Sequence, residues 1–158
     1  MMREILNGLL QDLARVIGLS DLTLDEANCI GFRFDDRVSV TIRLNPDWPQ
    51  VELFADVGEL PVDAAERRTR MLGLLRANAF WRETGGATLS VRLDERTILL
   101  ATHTPLAQLD GLMFRNWLEA FVHTAEIWIE RLAVADFEIA PVASVASEPA
   151  IPAYFIRV

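Results

Sequence analysis

The sequence predicts a single α+β domain in which helices cover an antiparallel twisted sheet. Apolar residues recur at helical spacing in three segments, and in the stretches between them they alternate with polar residues. Short turn-forming sequences separate the alternating runs, which is typical of antiparallel strands joined tightly. A sheet with one apolar face needs helices to cover it. The predicted order of elements is α-β-β-β-α-β-β-α.

The first helix is predicted from about Met2 to Ile17, and Gly18 is placed to close it. Its apolar residues form a broad stripe on the helix surface. They are Ile5, Leu6, Leu9, Leu10, Leu13, Val16 and Ile17. The stripe is wide enough for a core contact and for a second apolar contact.

Three strands are predicted to follow the first helix. Residues 28–34 alternate, with Ile30, Phe32 and Phe34 on one face, and residues 38–44 alternate in the same way after a two-aspartate turn. Residues 51–55 form the third strand, and residues 56–61 are predicted to be a connector.

The second helix is predicted to start at Asp63, with Glu66 three residues later in a capping-box-like pattern, and to reach about Asn78. A glycine pair at residues 85–86 interrupts the helical pattern. Two strands are then expected at residues 88–93 and 97–104. In the first of them Leu89, Val91 and Leu93 alternate with polar residues, as in a half-buried strand.

Asp110 is a candidate N-cap for the last helix, which is predicted from Gly111 to about Ala133. Residues 135–158 then lose the helical period and contain three prolines and many small residues. The chain is therefore expected to have two parts. Residues 1–134 form the folded domain, and residues 135–158 form an extended or disordered Pro/Ala-rich tail.

Composition excludes several classes of function. The formal net charge is −8 and all 15 basic residues are arginines. An acidic chain without clustered positive charge is a poor candidate for binding nucleic acid. Cys29 is the only cysteine, so no internal disulfide can form, and neither a signal peptide nor a membrane span is predicted. A cytoplasmic location is expected.

No set of residues predicts catalysis, a metal site or a cofactor. His103 and His123 are 20 residues apart without partners at ligand spacing, and a single His123-x-x-Glu126 pair is common by chance. Asp35 and Asp36 are adjacent on a hairpin turn and are expected to point apart into water. The sequence therefore predicts a protein that is not an enzyme.

Several segments, in this order and spacing, resemble the CesT/SycE-like family of type III secretion chaperones. They are LLQDLARVIGL, FRFDDRVSVTI, LFADVGELP, LLRANAFWRETGGATLSVRLDERTILLATHTPL and LEAFVHTAEIWIERL, which together cover Leu6 to about Leu132. The most specific piece is Leu75-Arg76-Ala77-Asn78 followed by the Gly86–Ser90 segment. A departure from the family pattern is Asp94-Glu95-Arg96 in the second hairpin, where the family often carries a glycine.

The resemblance implies a small acidic cytosolic homodimer that binds the N-terminal region of a secreted effector. Members keep that segment non-globular and soluble, present it to the secretion ATPase and hydrolyse nothing themselves. The effector segment is expected to add backbone hydrogen bonds at a sheet edge and to place apolar side chains in surface grooves.

By resemblance the second helix and the following strand form the dimer contact. The expected dimer residues are Leu72, Leu75, Phe80, Trp81, Leu89 and Val91. The expected effector-binding residues are Leu6, Leu9, Leu10, Leu13, Phe32, Phe34 and Phe54. Plain core packing explains each of these residues about equally well. The alternatives are a non-catalytic interaction or scaffold domain of the same fold and, less favoured by the residues, a small enzyme.

Overall fold

The computed structural model describes residues 1–134, and the predicted tail at residues 135–158 lies outside them. Within the described residues the elements follow the predicted order. They are α1 (Met2–Ile17), β1 (Cys29–Phe34), β2 (Val38–Leu44), β3 (Gln50–Glu59), α2 (Ala64–Asn78), β4 (Thr88–Val91), β5 (Thr97–Pro105) and α3 (Gly111–Ala133). Short 3-10 turns follow α2 at Ala79–Trp81 and β5 at Leu106–Gln108. The predicted α+β class is confirmed.

The five strands form one antiparallel sheet in the order β1-β2-β3-β5-β4, so β1 and β4 are its two edges. Alternate residues of the strands point to a shared core, among them Ile42, Leu53 and Leu100, which are fully buried. α3 packs across this face and contributes Phe114 and Trp128 to the core. Because the described residues share a continuous apolar core, the sheet can position surface residues rigidly.

The predicted helix ends are confirmed. Gly18 closes α1 in the left-handed conformation at φ 73°. The Asp63 carboxylate accepts hydrogen bonds from the backbone N–H groups of Ala65 and Glu66, and Asp110 accepts one from Met113 at 2.7 Å. These side chains satisfy backbone donors that the first turn of a helix leaves unpaired.

The predicted connector at residues 56–61 is wrong, because β3 continues to Glu59. A bulge between Asp56 and Gly58 shifts the pairing with β5, and it places Val57 in the core. A Cβ atom at Gly58 would lie 3.2 Å from the Leu132 side chain of α3. Glycine therefore allows the long strand and α3 to approach each other.

The predicted strand at residues 88–93 is too long, since β4 ends at Val91 and Leu93 is fully exposed in the following turn. Asp94 organises that turn by accepting hydrogen bonds from the backbone N–H groups of Arg96 and Thr97 and from the Thr97 hydroxyl. These hydrogen bonds hold the pKa of Asp94 well below its ordinary value, at about 2. Asp94 therefore holds a tight turn soon after β4, where the alternating sequence pattern predicted that the strand would continue.

Candidate binding surfaces

β1 is an edge strand, so only part of its backbone forms hydrogen bonds within the sheet. The Leu44 N–H donates to the Asn28 carbonyl at 3.0 Å, which fixes the alternation of the β1–β2 ladder. By that alternation, Cys29, Gly31 and Arg33 direct their backbone groups away from β2. The edge is thus a place where a further strand can pair.

One of these three positions is already occupied. The Cys29 N–H donates to the Asp25 carboxylate at 2.8 Å, and the Asp25 N–H donates to the Cys29 carbonyl at 2.8 Å. Gly31 and Arg33 are exposed. The open part of the edge therefore begins at Gly31 and runs toward Phe34.

An apolar groove of about 240 Å³ lies at that end of β1, between α1 and α3. Its apolar lining residues are Leu13, Val16, Ile17, Phe34, Leu118 and Val122. Arg115, Glu119, His123 and Glu126 supply its polar rim. Because Phe34 belongs both to β1 and to the groove, a chain paired with β1 would pass the groove opening.

The groove opening has an acidic character. Arg37 donates to Glu130 at 2.8 Å, and this hydrogen bond, with the nearby charges of Glu126 and Asp35, holds the pKa of the Arg37 guanidinium above its ordinary value. The Nδ1 atom of His123 is 3.9 Å from Glu126. Carboxylates thus outnumber guanidinium groups around the opening, which favours a positively charged ligand.

The opposite edge of the sheet is partly blocked by Asn78, the last residue of α2. Its side-chain N–H donates to the Leu89 carbonyl at 2.9 Å, and the Leu89 N–H donates to its side-chain oxygen at 2.8 Å. The carboxamide takes the place that a residue of a neighbouring strand would occupy. β4 is also only four residues long, so β1 is the more accessible edge.

A second apolar surface lies on α2 and the turn after it. Leu75 is 66% exposed, Trp81 60%, Leu72 48% and Phe80 41%. Phe80 and Trp81 both have positive φ, at 59° and 53°, which is uncommon for residues with bulky side chains. Two strained, exposed aromatic residues beside exposed leucines are typical of a surface that is covered in an assembly.

The six residues predicted for dimerisation therefore divide into two groups. Leu72, Leu75, Phe80 and Trp81 are on the exposed surface just described. Leu89 is buried in the protomer and Val91 is half-buried against the core, since both are on the core face of β4. They belong to the strand against which α2 packs.

The residues predicted for effector binding are also separated by the fold. Leu6, Leu9 and Leu10 are buried, and Leu13 is buried at the groove. Phe32 and Phe34 are half-buried on the core face of β1, with their rings 6.1 Å apart. Of the whole predicted set, only Leu13 and Phe34 line the groove.

Phe54 lies on the other face of the sheet. It is paired with Thr41, whereas Phe32 is paired with Val40, so the two phenylalanines point to opposite sides. The Arg43 guanidinium covers Phe54, with its central carbon 5.1 Å from the ring centroid. Phe54 is therefore not part of the groove.

Arg43 also joins a buried polar network around Glu52 on this outer face. Arg43, Asn45 and Gln50 donate to the carboxylate at 2.7, 2.6 and 3.1 Å. Burial raises the pKa of Glu52, but the three hydrogen bonds together outweigh burial and leave the pKa below its ordinary value. All three donors are satisfied by one carboxylate, which is the arrangement of a structural ion pair.

Among residues 1–134, no three His, Cys, Asp or Glu side chains come together in a way that could hold a metal ion. His103 is exposed on the outer face of the sheet and His123 is at the groove opening, so the fold does not bring the two histidines together. In the same part of the chain, none of the helices is both long and apolar enough to cross a membrane.

The groove residues that the sequence interpretation missed are Val16, Ile17, Leu118 and Val122. Val16 and Ile17 belong to the broad stripe of α1, so its excess width was the available signal. Leu118 and Val122 follow the helical period of α3, where a core-facing residue and a groove-facing residue look alike in sequence.

The model of the Tir chaperone protein (CesT) family matches residues 8–129. The chain belongs to this family, whose members are chaperones without catalytic activity. A search of curated proteins finds no match. The predicted family and the predicted class of function, an effector-binding chaperone of type III secretion, are thereby confirmed.

Solved structures with the same fold agree with this assignment. The ExsC–ExsE complex matches with 26% identity and a TM-score of 0.69, covering 84% of this chain and 97% of that chain. The HopA1–SchA chaperone–effector complex matches with 14% identity and a TM-score of 0.65, covering 81% and 95%. The Yersinia pestis type III secretion chaperone SycH, in complex with a fragment of YscM2, matches with 19% identity and a TM-score of 0.59, covering 77% and 98%.

Proposed function

We propose that this protein is a cytoplasmic chaperone, without catalytic activity of its own, that holds an extended segment of a secreted effector along β1. The observation that supports this most directly is the open edge at Gly31 and Arg33 beside the apolar groove. An extended segment can pair its backbone with the edge and place alternate side chains into the groove. The acidic opening favours a segment that also carries basic residues.

Each part of this site contributes differently to binding. Backbone pairing is independent of the client's sequence, whereas the groove selects apolar side chains of suitable size. Ordering a flexible segment costs about 2–5 kcal/mol, so two short backbone contacts alone are insufficient for tight binding. The client is therefore expected to bury apolar side chains in the groove and to continue over a larger surface.

The predicted effector-binding residues take distinct roles in this proposal. Leu13 and Phe34 contact the client directly. Leu6, Leu9, Leu10 and Phe32 support the groove from the core side. Phe54 contacts only a part of the client that wraps onto the outer face of the sheet.

Dimerisation is proposed through α2 and the turn after it. Two copies would cover the exposed side chains of Leu72, Leu75, Phe80 and Trp81, while Leu89 and Val91 belong to the strand against which α2 packs. The homodimer carrying its effector segment is the form that we expect the secretion ATPase to receive.

Co-purification with the secreted proteins encoded near the gene tests the client. We expect one of them to be captured, and limited proteolysis of the complex should leave an N-terminal segment protected. Capture of none, together with a monomeric purified protein, would instead favour a scaffold domain that has the fold without a secretion role.

Substitutions at Gly31 test the β1 edge. Gly31→Pro removes an outward backbone N–H, and a proline is tolerated on an edge strand when its N–H would face solvent. We expect the protected effector segment to bind about tenfold more weakly, since a lost hydrogen bond is worth about 1 kcal/mol or slightly more. Isothermal titration calorimetry measures the change.

Gly31→Ala is the matched control for this test. It keeps the N–H, and a Cβ atom at this position meets nothing within 4 Å. We expect Gly31→Ala to bind the segment as the wild type does. Equal binding by both variants would place the client away from the β1 edge.

A further inference from the structure

We propose that residues 153–158, Ala-Tyr-Phe-Ile-Arg-Val, occupy the groove of their own chain when no client is bound. The inference rests on the proposed client site and adds a means of regulating access to it. The occupant is a segment of this chain that lies outside the described residues. Three properties of the segment and the groove support the assignment.

The first property is the residue pattern of the segment. Tyr, Phe, Ile and Val favour extended strands, and in an extended chain Tyr154, Ile156 and Val158 share one side. Such a row of side chains fits a groove lined by six apolar residues. The backbone of the same segment can pair with the outward groups of Gly31 and Arg33. The segment therefore has the chemistry proposed for a client.

The second property is charge. Arg157 is the only basic residue in 135–158. The groove rim carries Glu119 and Glu126 against Arg115, and Arg37 nearby is paired with Glu130, so the rim has one more carboxylate than guanidinium. Opposite charges at such an opening favour one orientation of the bound segment.

The third property is reach. The groove extends along α3 from Glu126 back to Arg115, and Val134 is about 28 Å from Arg115 at 1.5 Å per residue. Residues 135–152 can span up to about 60 Å. The segment can therefore reach the groove with considerable slack.

Tethering makes even a weak contact effective. A linker of suitable length gives an effective concentration on the order of 1 mM, so a segment with a dissociation constant of about 0.1 mM would fill the groove about nine-tenths of the time. A client would then bind with an apparent affinity reduced about tenfold, because only the open fraction can accept it. Segments that bind weakly would then fail to displace the tail, whereas a client that binds tightly would displace it.

Paramagnetic relaxation in the full-length chain tests the contact without any client. Cys29→Ser removes the only native thiol, and Ala153→Cys then carries a nitroxide label next to the segment. We expect strong broadening of the backbone amide signals of Ile17, Leu118 and Val122, and none at Trp48, in comparison with the reduced label. Absence of this selective broadening overturns the proposal.

Mixing the labelled chain with unlabelled, isotope-enriched chain separates two sources of contact. If the enriched chain shows no broadening in this mixture, the broadening seen in the first experiment arises within one chain, which supports docking of the segment in its own groove. Broadening that appears equally in the enriched partner means that the segment docks between copies, which overturns the assignment to its own chain.

Two surface variants provide the matched control. Ile17→Ser removes a groove-lining side chain, whereas Leu19→Ser removes a similarly exposed apolar side chain that does not line the groove. We expect the broadening to fall in Ile17→Ser and to persist in Leu19→Ser. Equal effects of the two substitutions contradict docking in the groove.

Client binding gives an independent result. Replacing Tyr154 and Ile156 together by Ser should raise the affinity for the protected effector segment about tenfold, the inverse of the occupied fraction above. The relaxation test can fail while Gly31→Pro still weakens client binding, in which case only the tail proposal is overturned. If relaxation supports docking but Gly31→Pro has no effect on client binding in a chain that also carries Tyr154→Ser and Ile156→Ser, the proposed client site fails instead.

Discussion

The carboxamide of Asn78 joins α2 to the edge of β4 through two hydrogen bonds to Leu89. Asn78→Ala leaves the backbone groups of Leu89 without these partners. We expect the free energy of unfolding to fall by about 1–3 kcal/mol, measured by urea denaturation. Asn116→Ala, at an exposed position of α3, is the control and should change stability by no more than about 0.5 kcal/mol. Equal effects would contradict a role for the Asn78 contact.

Glu52 gives a residue-scale prediction about pH. Its pKa in the folded protein lies below the ordinary 4.5 because three hydrogen bonds outweigh the effect of burial. A lowered folded-state pKa stabilises the protein above the unfolded-state value, and this contribution is lost as the pH falls from about 4.5 through the folded-state pKa. Glu52→Gln should therefore flatten part of the loss of stability that occurs as the pH falls below about 5.

The measurement for Glu52 is urea denaturation at a series of pH values. Glu26→Gln, at an exposed turn, should leave the acid-induced loss of stability as it is in the wild type. If the two variants respond alike to acid, the network around Glu52 does not contribute to the pH dependence.

At the scale of elements, the close approach of β3 and α3 depends on Gly58. A Cβ atom there would lie 3.2 Å from both Cβ and Cδ1 of Leu132, and the Leu132 Cβ atom cannot move without its helix. We expect Gly58→Ala to lower the free energy of unfolding by about 1–3 kcal/mol, as overpacking does. Gly8→Ala in α1, where a Cβ meets nothing within 4 Å, should raise it by about 0.5–1 kcal/mol. Two changes of the same sign would contradict this account.

The exposed face of α2 gives the second prediction at this scale. Leu75→Asp should produce folded monomers, because dimerisation would bury an unpaired charge, whereas the protomer leaves this side chain mostly in water. Analytical ultracentrifugation measures the change. The control is Val62→Asp, at an exposed residue close to the start of α2, and this variant should leave the dimer intact. A dimer that persists in Leu75→Asp would move the interface away from α2.

Local patterns predicted the elements well where one residue decides the outcome. Gly18, Asp63 and Asp110 set helix boundaries through their own conformation or hydrogen bonds, and no tertiary information is needed for that. The extension of β3 through Asp56 and Gly58 was missed because both residues normally favour a turn. Pairing with β5 and contact with α3 override that local preference.

The candidate site was harder to predict, since one helical stripe on α1 serves two surfaces. Leu6 and Leu10 are fully buried while Val16 and Ile17 line the groove, and periodicity treats all four alike. Which residue faces which surface depends on where α3 crosses α1, a long-range contact that a local pattern does not encode. Phe54 is a different case, because the sequence did contain the necessary signal. It follows Leu53 in an alternating strand, so the two side chains must point to opposite faces of the sheet.

At the scale of the whole molecule, the stability of the protein should depend on its concentration. Association that occurs only between folded chains stabilises the folded state by mass action. We expect the Tm of the wild type to rise as the protein concentration is increased a hundredfold, and the Tm of Leu75→Asp to stay constant. Differential scanning calorimetry at matched scan rates measures both. A wild-type Tm that does not depend on concentration would contradict the proposed homodimer.

The partly blocked edge of β4 has a consequence for polymerisation. A sheet with two open edges can add copies of itself at both ends, and such growth has no natural stopping point. Here the two hydrogen bonds with Asn78 already use the outward backbone groups of Leu89, so a strand that adds at this position of β4 has to break both of them. Growth of sheets edge to edge through β4 therefore costs two native hydrogen bonds for each copy added, which opposes fibre formation at this edge.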